Sequence, residues 1–409
     1  MGFNNLISIL YSRGIFSYKR YVLHVGLRSR LLSFEIFVSL SDGILEYKMR
    51  FSRFTCSVLP LLSCLFSVAR AAWTVPKEYA LTASPDGHFF QKSDRSPFFW
   101  QGDTAWLLFH RLNFTEAEMY LSDRASKGFT IVLAVGFTQI GITSPNRAGD
   151  LPFVNQDPTK PNEAYWAYID SIVELAWSYG IRIALVPCWG QYIHDSAGNP
   201  SVINGTTAYP FGKFIGDRYP YLPKILVADT NPLWENKTAV IDDFAAGGVI
   251  PQYKHQDWRP IYDDLANGIV AGERQATSNR AWNPLMTIHP TNLWFNGLPI
   301  ALASAQIGDR DWLTMDACQS GHTDFPPDGP IPWWNARRPW EPVGLMYATG
   351  QTTPGKKRPA VDNEAHYESR YDDGKSAYFY WNASDVRTGT WQSVSPVFLG
   401  RSMDLIEAW

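Results

Sequence analysis

Seven short apolar runs, separated by segments of helical period, recur between residues 98 and 364, and this alternation limits the possible folds more than any other feature. The runs are FFWQGDTAW (98–106), FTIVLAVGF (129–137), IRIALVPCWG (181–190), KILVAD (224–229), PLMTIHP (284–290), WLTMDACQ (312–319) and RPAVDNE (358–364). Helices are expected between them, over 115–128, 163–180, 208–218, 259–274, 300–307 and 343–349. The first is expected to be capped by Thr115, with Glu118 three residues on, and closed by Gly128. The second carries Ile169, Ile172, Val173, Ala176 and Trp177 at three-and-four spacing, one apolar stripe of a helix. Near-continuous apolar strands parted by helices imply a parallel sheet covered on both faces. No G-x-G-x-x-G follows any strand. The expected fold class is therefore α/β, a (β/α)8 TIM barrel rather than a doubly wound nucleotide-binding sheet.

In such a barrel, chemistry gathers where strands end and loops begin. Polar groups and aromatic rings stand at those positions here. Asp103 and Trp106 close strand one, Trp189 follows strand three, and Asp229 with Asn231 closes strand four. His289 closes strand five, Gln319 and His322 follow strand six, and Glu364 ends strand seven. Asp229 and Glu364 should face each other across the barrel mouth. Two carboxylates about 5–5.5 Å apart serve retaining glycoside hydrolysis, one attacking the anomeric carbon while the other protonates the leaving oxygen; about 6.5–9.5 Å would make the reaction inverting. The proton donor of such a pair must be kept protonated by burial or a like charge. Aromatic residues make up 15% of the chain, with 17 Trp and 20 Tyr, and such rings suit either core packing or stacking on sugar faces. Trp106, Trp189 and Trp234 can serve in either way.

Other chemistries lack their signatures. The eight His are scattered, with no H-E-x-x-H or paired-Cys spacing, so no metal is expected. No G-x-S-x-G follows a strand, and Cys318 with His322 four residues on is a weak nucleophile signal. No cofactor is implied.

The N-terminal part reads differently. From Met49 the chain has a basic start (Arg50, Arg53), an apolar stretch from Phe54 to Val68 and a small-residue Ala69-Arg70-Ala71 pattern, the form of a secretory signal over 49–71. Residues 1–48 show no defensible helical or strand period and are read as a spurious extension. Nine of the 36 Lys and Arg and three of the 39 Asp and Glu lie in residues 1–71, which leaves 27 basic against 36 acidic residues, a net charge of −9. An acidic surface argues against nucleic acid as a partner. With the signal cleaved, no membrane association is expected, and the localisation is read as secreted and extracellular. Sequons at Asn113, Asn204, Asn236 and Asn382 fit a glycosylated export product. Cys188 and Cys318 form one disulfide or stay as two buried thiols.

The segments PFFWQGDTAWLLFHRLNFTEAEMYLSDRASKGFTIV (97–132), RYPYLPKILVADTNP (218–232), MDACQSGH (315–322) and KRPAVDNEAHYES (357–369) together resemble the apiosidase-like catalytic domain, glycoside hydrolase family 140, in a secreted fungal-type form. The resemblance covers about 75–390. It implies a (β/α)8 barrel and a retaining hydrolase acting on plant or microbial polysaccharide, with Glu364 in the nucleophile's place and Asp229 in that of the acid/base. Asp103, His289, Gln319, His322 and Tyr367 then orient sugar hydroxyls, and Asn231 joins them. Val227 and Ala228 precede Asp229 where family members usually carry two Gly. The tail, 391–409, replaces the family's Gly-rich segment and eighth strand, so the barrel is expected to lack that strand. The rival reading is a catalytically inactive carbohydrate-binding or adhesion protein on the same barrel.

Overall fold

The computed structural model describes the strands of residues 19–51, and residues 73–137, 142–194, 201–228, 232, 257–290, 302–319, 357–365, 367–368, 382–384, 386–387 and 390–391. The chain divides into two compact units, Met1–Ala72 and Trp73–Trp409. In the first, β1 (Lys19–Leu27), β2 (Arg30–Ser41) and β3 (Ile44–Phe51) form an antiparallel meander in the order β1-β2-β3. Strands thus form in 1–48 although the sequence there shows no regular period. The missed signal was the Asp42-Gly43 dipeptide, which stands between the paired residues Ser41 and Ile44 and favours a tight hairpin. The expected boundary at 48/49 falls inside β3, and residues 52–72 of the expected signal lie outside the described residues.

The second unit opens with a 3-10 turn (Lys77–Tyr79) and a small antiparallel sheet of β4 (Leu81–Ala83), β5 (Phe90–Lys92) and β6 (Pro97–Phe98). All seven sequence-derived strands then follow: β7 (Gly102–Thr104), β8 (Ile131–Val135), β9 (Arg182–Val186) with β10 (Cys188–Trp189), β11 (Lys224–Ile225) with β12 (Val227–Ala228), β13 (Met286–Thr287), β14 (Asp316–Gln319) and β15 (Ala360–Glu364). Five of them make one parallel sheet in the order β13-β11-β9-β8-β7, and β10 pairs with β12 and β14 with β15, also in parallel. Thr314 N and Met315 N donate to Met286 O, which ties the approach to β14 onto β13. Neighbours in space are thus neighbours in sequence. Every residue of β8 and β9 is buried, as a sheet covered on both faces requires.

Five helices lie close to their expected spans, α2 (Phe114–Ser126), α3 (Glu163–Ser178), α5 (Ala208–Arg218), α6 (Arg259–Ala276) and α7 (Ala303–Ile307), and two short ones, α1 (Leu108–Arg111) and α4 (Gln191–His194), were not expected. The one expected at 343–349 lies outside the described residues. On α3 the stripe Ile169, Ile172, Val173 and Ala176 is fully buried, and each of the larger members contributes about 1.5–3 kcal/mol on leaving water. The cap of α2 is corrected. Asn113, not Thr115, accepts from Glu116 N while the Glu116 carboxylate accepts from Asn113 N, a complete capping box two residues earlier than expected.

The two ends of the strands differ in kind. At the amino ends, Arg182 donates to Tyr79 O and Glu78 O, each at 2.9 Å, and its guanidinium lies over the rings of Tyr79, Phe98 and Trp177. Lys224, the first residue of β11, is fully buried and paired with the equally buried Glu273 of α6. Glu273 also accepts from Tyr221 N (3.0 Å) and Trp282 Nε1 (2.7 Å), so the buried charges are enclosed in hydrogen bonds. These groups hold the sheet to its surroundings. The carboxyl ends carry the polar cluster described next.

Candidate active site

Glu364 ends β15, is 7% exposed, and owes its aim to one extra residue. β14 and β15 run in register from Asp316↔Ala360 to Cys318↔Asp362, then shift so that Gln319 pairs with Glu364. Asn363 is the added residue. In unbroken register it would stand opposite Gln319; the bulge puts Glu364 there instead, the re-aiming that bulges commonly perform beside functional sites. The arrangement carries a cost. Asn363 is buried, and neither atom of its amide has a hydrogen-bond partner among the described residues, a penalty of about 1–3 kcal/mol.

Three side chains converge on the Glu364 carboxylate. Gln319 Nε2 donates to Oε2 at 2.8 Å, fully buried His289 brings Nε2 to 3.2 Å from the same oxygen, and Tyr367 hydrogen-bonds to it from just beyond β15. The Tyr367 oxygen in turn accepts from Trp106 Nε1 at 3.0 Å and is bonded to Thr104. Burial first, and then the adjacent Glu364 charge, push the Tyr367 phenol well above the ordinary tyrosine range, so it keeps its proton. Trp106 forms the wall, with ring centres 5.2 Å from His289 and 5.3 Å from Trp189, both edge-to-face. The last residues of β7, β10, β14 and β15 and His289, the second residue past β13, are therefore gathered in one place. Donors aimed at a carboxylate favour its charged form.

The remaining expected site residues divide into two groups. Asp103 is not brought to this cluster: its Oδ2 accepts from Tyr120 (2.8 Å) and Arg124 (3.2 Å) on α2, and its Oδ1 accepts from Thr104 N (2.9 Å). Side chains alternate along a strand, so Asp103 turns to the helix layer while Thr104 turns to Tyr367. Thr104 was missed, having no charge to single it out. Asp229, Asn231 and His322 lie outside the described residues, as does Trp234. The described chain reaches Ala228, which pairs with Trp189, and Val227 O accepts from His289 N at 3.0 Å. β12 thus ends between the two residues that flank Trp106.

Both thiols are free and buried, which resolves the cysteine alternatives: Cys188 and Cys318 are not joined, and burial pushes each well above its ordinary range. They are structural residues of the sheet.

Comparison with known proteins agrees with this architecture. The family model described as apiosidase-like, catalytic domain, matches residues 84–400. A solved glycoside hydrolase family 5 protein from Bacteroides vulgatus ATCC 8482 is similar at 25% identity with a TM-score of 0.60, over 80% of this chain and 62% of its own. A second structure, described as a glycoside hydrolase, is similar in fold at 24% identity and a TM-score of 0.59, over 79% of this chain and 65% of that one. The chain spans less than two thirds of the length of either. No match is found among curated proteins. The α/β unit is glycoside-hydrolase-like, and the chain belongs to the apiosidase-like catalytic domain family.

Proposed function

We propose that the protein is a secreted, retaining glycoside hydrolase of the family 140 kind and fungal type, cleaving O-glycosidic bonds in plant or microbial polysaccharide. The observation that carries this reading is the Glu364 carboxylate, re-aimed by a bulge, ringed by Gln319, His289 and Tyr367, and walled by Trp106 and Trp189. Glu364 attacks the anomeric carbon, and Asp229, the next residue after the end of β12, protonates the leaving oxygen and then activates water. Trp106 and Trp189 offer faces to the sugar, while His289 and Gln319 bond its hydroxyls when it enters; Asn231 and His322 are proposed as further contacts. The (β/α)8 barrel is part of the same proposal. It is supported by the sequential strand order and by Tyr367, just past β15, meeting Thr104 and Trp106 at the end of β7, which brings the two ends of the row of described strands together. A signal over 49–71 and glycans on sequons such as the exposed Asn113 complete the proposed export.

Incubation with pectic side-chain polysaccharide, followed by proton NMR of the released sugar, tests this reading. Release with retained anomeric configuration is expected. Inversion would remove the double displacement, and retention on affinity electrophoresis with no release would favour the non-catalytic binding protein.

A further inference from the structure

The sequon Asn113-Phe114-Thr115 coincides with the start of α2, and the capping box there divides the work of the Asn113 side chain. Its Oδ1 accepts from Glu116 N at 3.0 Å, and its backbone N donates to the Glu116 carboxylate at 2.8 Å. Neither bond uses Nδ2, the atom that bears an N-linked glycan, and Asn113, Phe114 and Thr115 are all exposed. Asn204, in the sequon Asn204-Gly205-Thr206, is placed differently. It is half-buried, its Oδ1 accepts from Thr206 N (3.0 Å) and Thr206 Oγ1 (2.8 Å), and its Nδ2 donates to Ser201 O at 3.2 Å. A sugar on that nitrogen takes one of its two hydrogens and crowds the bond to Ser201.

We infer that Asn113 is an N-glycan site whose side chain does two jobs at once, Oδ1 capping α2 while Nδ2 carries the sugar chain. The fold also says where that chain stands. β7 and β8 pair in parallel, so α2, which joins them, runs back along the sheet and has its first turn on the side of the carboxyl ends. Asn113 follows Trp106, the wall of the Glu364 cluster, by seven residues. The glycan therefore stands on the face through which a substrate enters the proposed site. Thr115 completes the sequon but takes no part in the capping box, so the two jobs of Asn113 are separable by mutation.

The inference rests on the exported form proposed above, because N-glycans are added in the secretory pathway, and the test keeps the two apart. The full chain is expressed in a eukaryotic secretory host twice, with its own start and behind a leader of the host. Secreted protein is deglycosylated enzymatically in heavy-oxygen water, which turns each glycosylated Asn into labelled Asp for peptide mapping. Label is expected at Asn113, at higher occupancy than at Asn204. An unlabelled Asn113, or one labelled less than Asn204, would overturn the inference. Export of the leader-fused chain alone, labelled at Asn113, would remove the proposed signal over 49–71 and leave the inference standing. Thr115→Ala and Asn113→Asp should both lose this glycan and melt with the deglycosylated wild type, since Asp caps a helix as well as Asn does. Asn113→Ala should lose the glycan and melt a few degrees lower. If it melted with Asn113→Asp instead, the capping job would be refuted and the inference with it.

Discussion

Whether a side chain reaches the Glu364 cluster is decided by single-residue steps. On β7 one step of alternation separates Asp103, bound to the helix layer, from Thr104, bound to Tyr367. On β15 one inserted residue separates Asn363 from Glu364. Strand-end polarity pointed to His289, Gln319 and Glu364, but it carried no information on parity. For that reason the charged Asp103 stands out in the sequence and the neutral Thr104 does not, its partner lying 263 positions along the chain. The buried Lys224–Glu273 pair was equally hidden, since a Lys opening a strand reads as exposed until the fold encloses it. Burial pushes the Lys224 ammonium down while Glu273 opposes that shift. Lys224→Ala should destabilise the protein by about 3–5 kcal/mol, because it strands a buried carboxylate. Lys224→Met combined with Glu273→Leu should recover most of that loss in chemical denaturation. A single variant as stable as wild type would show that the pair is not enclosed as described.

The helix spans were legible because the apolar stripe of α3 and the lengths of α5 and α6 follow from period alone. How closely α5 and α6 approach was not. Four glycines, Gly212 and Gly216 on α5 with Gly268 and Gly272 on α6, put backbone against backbone: a Cβ on Gly216 would fall 2.2 Å from Ile269 O, and one on Gly272 2.3 Å from Lys213 O. Spacing of four between glycines is a weak sign in a polar helix, where each Gly also lowers helix propensity. Both neighbours are carbonyl oxygens rather than side chains, so neither can swing aside. Gly216→Ala should therefore cost about 1–3 kcal/mol or more in urea unfolding, despite the better helix propensity of Ala. Unchanged or raised stability would mean that the helices can separate without loss.

At the scale of the second unit, the strands from β7 onward pair in parallel. Their amino ends hold the Arg182 and Lys224 anchors, and their carboxyl ends hold the Glu364 cluster. That separation of anchoring groups from the polar cluster is what the proposed barrel enzyme requires. The alternation of seven apolar runs made it readable, since order along the chain became order in space. The N-terminal meander escaped notice because its strands mix basic and apolar residues without a two-residue period. The central claim is that one carboxylate, delivered by the last described strand of this row, does the chemistry. Comparing Glu364→Gln with the wild type for reducing-sugar release from pectic side-chain polysaccharide, at matched melting temperatures, tests it most directly. The account predicts a fall of about three orders of magnitude or more; turnover within a few-fold of wild type would contradict it.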